Sequence, residues 1–202
     1  METIPIFPLG TVLLPHGRMR LQIFEPRYLD LVSRCLKQSE TGSDDGFGVV
    51  WLRQGSEVYR LQNEEDNRLA QVGTYARIVD WEALRNGLLG ITIEGSRKFR
   101  LVSSHQRQDH LNMAEVEWIE EEPYIALPEH SSELKDLLAQ LLQHPHIERM
   151  QFSTEVDDVA TLGFLLAQLL PMPEPVKFQL LTLTDPMQRL QKIIDMLDDI
   201  SQ

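Results

Sequence analysis

The hydrophobic repeat of this chain changes once, and that change constrains the fold more than any other feature. Up to about residue 122 apolar residues recur mainly with period two; beyond it they recur at the spacing of one helix face. Met19, Leu21 and Ile23 alternate with Arg20 and Gln22, as a half-buried strand requires. The same alternation runs through Val72-Thr74-Ala76-Ile78, Leu89-Ile91-Ile93, Phe99-Leu101 and Ala114-Val116-Trp118. Thr41 to Gly46, Asn63 to Asn67, Asn86-Gly87 and Gly95-Ser96 read as the turns between strands. Many short strands punctuated in this way predict a small barrel or a strongly curved sheet.

One helix interrupts the strands. Pro26 suits a first helical turn, where its missing N–H costs little, and Tyr28, Leu31, Val32, Cys35 and Leu36 then fall on one face. Cys35 on that stripe reads as a packed core thiol rather than a nucleophile. After the acidic run Glu120-Glu121-Glu122, the stripe Leu134, Leu137, Leu138, Leu141, Leu142 predicts a helix capped by Ser131 or Ser132. A second helix is expected from Thr154, carrying Val156, Val159, Leu162, Leu166 and Leu169 and ended by Pro171 and Pro173. A short one follows through Val176, Leu180 and Leu181, and a last one has Asp185 as N-cap and Pro186 at its first position.

The 202 residues carry a formal net charge of −12, and it is unevenly placed. Residues 1–100 hold 13 Lys/Arg and 13 Asp/Glu, whereas residues 101–202 hold 6 against 18. The second half would repel a polyanion, and the first shows no dense basic patch, which disfavours nucleic acid. One cysteine cannot form an internal disulfide, and the opening Met1 to Pro8 is not a secretory leader, so a cytoplasmic location is expected. The apolar run Leu162 to Leu170 is too short to cross a bilayer.

Catalytic and metal motifs are missing. There is no phosphate-cradling G-x-x-x-x-G-K-[ST] loop and no G-x-S-x-G elbow. His144-Pro145-His146 and the pair His105, His110 lack nearby cysteines or an H-E-x-x-H spacing, so they read as turn histidines and no metal is expected. Glu120 to Glu122 reads as a solvated charge run, and His16-Gly17 as a turn without a nucleophile partner. No catalytic residue and no cofactor is assigned.

Several motifs stand in a familiar order. Ile4-Pro5-Ile6-Phe7-Pro8-Leu9, Val12-Leu13-Leu14-Pro15 and Leu21-Gln22-Ile23-Phe24-Glu25-Pro26-Arg27-Tyr28 resemble the opening of the Lon protease N-terminal domain. Phe47-Gly48-Val49-Val50, Val72 to Ile78, Gly95 to Leu101, Leu169-Leu170-Pro171, Lys177 to Leu181 and Arg189-Leu190 continue the likeness. The resemblance implies an α+β fold: a PUA-like β pseudo-barrel with one inserted helix over residues 1–122, then a C-terminal helical bundle over residues 123–202. It implies a non-catalytic module that binds unfolded or tagged polypeptides, without the ATPase and peptidase. A protease partner and a homo-oligomer are further expectations, and no membrane is. Its expected polypeptide-binding residues are Glu25, Arg27 and Tyr28, where a strand turns into a helix with outward N–H groups. The competing reading has Glu25 and Arg27 fixing that corner and Tyr28 in the core. An RNA-binding or small-molecule PUA-like module is the alternative, the latter with Trp51, Tyr75 and Trp81 as candidate lining and at least one of them in the core.

Overall fold

The computed structural model of the protein describes residues 1–39, 46–53, 69–128, 131–152 and 155–201. It divides into two compact units, Met1–Leu13 with Arg18–Ile119, and Leu14–Gly17 with Glu120–Gln202. The expected α+β class holds, with one six-stranded sheet and six helices among the described residues. The turns expected at Thr41 to Asp45 and Asn63 to Asn67 lie outside the described residues.

The first unit contains β1 (Glu2–Leu9), β2 (Arg18–Ile23), α1 (Pro26–Ser39), β3 (Phe47–Leu52), β4 (Leu69–Ala83), β5 (Leu89–Gln106) and β6 (Asn112–Trp118). Strand order is β2-β5-β4-β3-β1-β6, and β5 also pairs with β6, so the order closes on itself. The long β5 makes this possible. It carries β4 along one edge, and along the other first β2, from Leu89 to Glu94, and then β6, from Phe99 to Gln106. β1 and β3 are parallel, with Ile6 opposite Gly48 and Leu9 opposite Trp51. Both are buried almost continuously from Ile6 and Phe47 onward, which is why neither shows a clean alternation in sequence. The stripe of α1 closes over this sheet: Tyr28, Leu31, Val32 and Cys35 join Phe7, Phe47, Ile91, Ile93 and Leu111 in one core. Cys35 is a core thiol, as expected.

Asn86-Gly87 forms the β4–β5 turn, with Gly87 at φ 81°. Gly95-Ser96, expected to be a turn, is not one. β5 runs through it, and the pairing slips from Thr74–Lys98 to Ala76–Gly95, so the extra residue is absorbed as a bulge.

On the outer side of the β2-β5-β4 ladder, side chains of the flanking strands meet across small residues of β5. Arg20 pairs with Glu82 over Gly90 and Thr92, and Arg18 and Arg77 both reach Glu94, at 2.5 and 2.7 Å. Burial alone would raise the Glu94 carboxyl, but hydrogen bonds and charge from Arg77 and Arg18 outweigh it and hold it below its ordinary value of 4.5. The linked stability is present above that value and is lost as pH falls through the depressed one. Glu94→Gln is expected to cost about 1 kcal/mol at neutral pH, because the Arg77 side is exposed. The gap between variant and parent in urea unfolding should shrink steadily below the ordinary glutamate range. An unchanged gap there would mean the carboxylate charge is not what stabilises the ladder.

The second unit contains α2 (Ser132–Leu142), α3 (Pro145–Glu148), α4 (Val159–Leu169), α5 (Glu174–Thr182) and α6 (Pro186–Ser201). α4 is buried on almost every side, from Val159 through Leu162, Phe164, Leu165 and Leu166 to Ala167. Its start differs from the expected Thr154, which lies outside the described residues. The backbone of residues 157–159 instead pairs with residues 125–127 through Leu127 N–H to Asp157 O and Val159 N–H to Ile125 O. Asp158 then caps the helix by accepting from Thr161 N–H at 3.0 Å. Ser131 stands at the α2 N-cap without making a side-chain cap bond. α6 begins as read, with Asp185 accepting from Met187 N–H at 2.8 Å.

The segment Leu14–Gly17 belongs to this unit and forms a turn closed by Gly17 N–H to Leu14 O. Gln168 accepts from Leu14 N–H at 2.9 Å, and its own carbonyl takes the Lys177 ammonium at 3.0 Å. Burial pushes that ammonium below its ordinary value, against the raising influence of Glu174. The acidic run is not wholly solvated. Glu122 binds Arg189 through two bonds of 2.6 and 2.5 Å, and Arg189 is fully buried. Burial selects one glutamate of the three for a partner 67 residues away.

Candidate functional site

The expected site lies where β2 becomes α1. β2 alternates until Ile23, whose side chain is buried, and the next residue is out of phase with that alternation. Phe24 is therefore left outward, 53% exposed. The Glu25 carbonyl then accepts from Tyr28 and Leu29 N–H, which starts the helix one residue before Pro26.

Arg27 folds back into the protein rather than out of it. It is 8% exposed; Nη1 donates to the His110 carbonyl at 2.8 Å, and Nη2 lies 3.0 Å from the Glu25 carboxylate. Its guanidinium also stacks 4.5 Å from the centre of the Tyr28 ring. His110 sits at φ 62° in the β5–β6 turn, so Arg27 ties the start of α1 to that hairpin. Tyr28 is 2% exposed and stacks on Phe7 at 3.9 Å. The structure thus brings Glu25, Arg27 and Tyr28 together as one buried corner. What the corner turns to solvent is Phe24, Pro26 and Leu29, with the edge of the Glu25 carboxylate.

Ile23 pairs with Leu89, so Phe24 leaves the sheet at the level of the β4–β5 hairpin, where Leu84 and Leu88 are half-buried. The groups gathered here are apolar side chains and one paired carboxylate. Such a surface suits contact with apolar side chains of another chain. Motif reasoning does not single out Phe24, although its phase relative to Met19, Leu21 and Ile23 signals its exposure.

The three aromatic residues considered for a small-molecule pocket do not behave as expected. None is a core residue: Trp51 and Tyr75 are half-buried and Trp81 is 59% exposed. Tyr75 packs edge-on against Trp118, whose indole N–H donates to Glu2 and whose face carries Arg97 at 3.6 Å. Trp81, opposite Ile91, continues the core-facing row past the point where the core ends. His144 and His146 are exposed, as read, but not in a turn: His144 caps α3 by accepting from the N–H of His146, which lies within that short helix.

A family model of the ATP-dependent protease La (LON) substrate-binding domain matches residues 3–199. The chain belongs to this family. Among solved structures, a Lon N-terminal domain protein from Xanthomonas campestris aligns with a TM-score of 0.72 and 32% identity, over 96% of this chain and 98% of that one. The N-terminal domain of the Mycobacterium avium complex Lon protease aligns with a TM-score of 0.62 at 19% identity, over 98% and 99%, and shares the fold. Lon protease 1 of Bdellovibrio bacteriovorus is 24% identical over 98% of this chain and 25% of its own length. Lon protease 1 of Bacillus subtilis is 19% identical with the same coverage. The chain therefore spans about a quarter of the curated Lon proteases it matches. No helix among the described residues is long and apolar enough to cross a membrane.

Proposed function

We propose that this Lon-family domain binds segments of unfolded polypeptide and carries out no catalysis itself. The observation that carries the reading is the match of a protease substrate-binding family over residues 3–199, because the substrate of a protease is polypeptide. In this reading the closed sheet is a PUA-like pseudo-barrel over residues 1–122, and residues 123–202 form the helical bundle. A protease that receives the bound chain and assembly into homo-oligomers belong to the same reading, as does a reducing, cytoplasmic setting for Cys35.

Glu25, Arg27 and Tyr28 serve the binding surface by fixing it. With Arg27 and Tyr28 buried, the contact is made by Phe24 and Leu29, and the corner beneath them holds their direction. Phe24→Ala removes contact area without disturbing the Arg27 bonds. In fluorescence anisotropy with a labelled, chemically unfolded client, it is expected to weaken binding about tenfold, the worth of one well-buried aromatic contact. Circular dichroism should show an unchanged fold. If several unfolded clients fail to bind the parent protein, the reading is wrong.

A further inference from the structure

The second unit holds an apolar cleft that the corner at Phe24 does not involve. Leu138, Ala139 and Leu142 of α2 and Val156 line it, with Lys135 on one wall and Glu148 of α3 on another; its volume is about 310 Å³. Lys135, Leu138, Ala139 and Leu142 stand at i, i+3, i+4 and i+7, so a single face of α2 forms the floor. The five leucines of α2 expected to form its core stripe are only partly used for packing: Leu138 alone is buried, and Leu134, Leu137, Leu141 and Leu142 are half-exposed. The volume lies at the bottom of the roughly 300–1,000 Å³ range of ligand clefts, room for one or two large side chains rather than a cofactor.

The cleft lining itself balances Lys135 against Glu148, and the charge of the whole helical unit selects the occupant. Residues 120–202 hold 5 Lys/Arg against 15 Asp/Glu. Arg189 is buried on Glu122, which removes one charge of each sign and leaves the acidic excess of the unit unchanged. Such a field attracts cationic segments and repels acidic ones.

We infer that this cleft is a second polypeptide site, which takes a large apolar side chain from a segment flanked by lysine or arginine. The inference rests on the polypeptide-binding reading and adds to it a place and a sequence preference. An apolar side chain fills the floor between α2 and α3, and basic neighbours lie against the acidic helical unit. Folded proteins keep such apolar-basic segments packed, whereas unfolded ones present them. The preference is therefore for a state of the client as well as for a sequence.

The test uses the full chain and a fluorescein-labelled, unstructured peptide of Lys, Gly and Ser around one central Phe. Binding is expected to weaken about tenfold when that Phe becomes Ser, the scale of one buried aromatic. It should fall further when the lysines become glutamates and as salt is raised. Ala139→Trp, at an exposed position that fills the cleft, is expected to remove most of the binding of this peptide. Gln143→Lys, at the cleft edge, should weaken it without filling anything. Phe24→Ala should remove only the smaller part of the binding that Ala139→Trp leaves. Undiminished binding to both cleft variants, or equal binding of lysine and glutamate peptides, overturns the inference. If unfolded clients still bind in a Phe24-dependent way under those conditions, the polypeptide reading survives. If neither peptide nor client binds the parent protein, both fall together.

Discussion

Arg189→Met is expected to destabilise the protein by about 3–5 kcal/mol, the cost of leaving one partner of a buried ion pair uncompensated. The arginine is fully buried and its donors are used with little redundancy. Nε donates to Leu180 O at 2.9 Å, Nη2 to Leu183 O at 2.7 Å, and the fork grips both oxygens of Glu122. Its guanidinium lies 3.8 Å from the centre of the Phe164 ring on α4. One side chain therefore joins α4, the end of α5, the start of α6 and the segment that begins the second unit. Urea unfolding followed by far-ultraviolet circular dichroism would measure the loss. Pairing it with Glu122→Leu should restore part of the stability, since no buried charge is then left unpaired. Restoration should be incomplete, because the Leu180 and Leu183 carbonyls still lack the donor. A single variant within 1 kcal/mol of the parent, about the worth of an exposed pair, would show that the bridge is dispensable.

The second large effect is expected at two glycines that flank one ring. A methyl at Gly48 would meet Phe99 Cζ at 2.6 Å, Phe99 Cε1 at 2.9 Å and Ile4 Cδ1 at 3.0 Å, all side-chain atoms. At Gly73 it would meet Phe99 Cζ at 2.5 Å and also the Val49 carbonyl oxygen at 2.6 Å. Each alanine is expected to cost about 1–3 kcal/mol or more as an overpacked core position. The two should differ in rescue. Phe99→Leu relieves Gly48→Ala, because everything it strikes can move or be trimmed. The same change should fail to relieve Gly73→Ala, whose second obstacle is backbone fixed between β3 and β4. Equal rescue at both sites, measured by thermal unfolding of the four variants, would show that the Val49 strand yields.

These positions show what can be read from a linear sequence and what cannot. The α6 start was legible because Asp185 and Pro186 act within one helical turn. The α1 stripe and the β2, β4, β5 and β6 segments were legible because one face is buried and the other wet, which writes itself into the spacing. β1 and β3 lie in the middle of the sheet, where both faces are covered, so their parallel pairing leaves no alternation to find. Gly95-Ser96 carries turn residues, yet a bulge uses them for the same geometric freedom without ending the strand. The choice of Glu122 from three adjacent glutamates depends on Arg189, 67 residues away, and nothing local distinguishes it. The corner was half legible: Tyr28 stands on the apolar stripe and so announces its burial, but an arginine at a helix start gives no sign of pointing inward. Only the backbone position of the His110 carbonyl decides that.

The closure of the sheet has a consequence for how the chain is made. Residues 2–6 pair with residues 112–116, so β1, made before the other strands of its unit, waits for the last of them. Until then β1 has only its parallel partner β3 and one open edge, an arrangement that is slow to form and prone to pair with other chains. Synthesis at about 5–20 residues per second makes that wait several seconds long. A domain proposed to hold other unfolded polypeptides thus passes through its own interval of exposed strand edge. In cells, nascent-chain partners should crowd on it before residue 118 emerges and leave once β6 is in place.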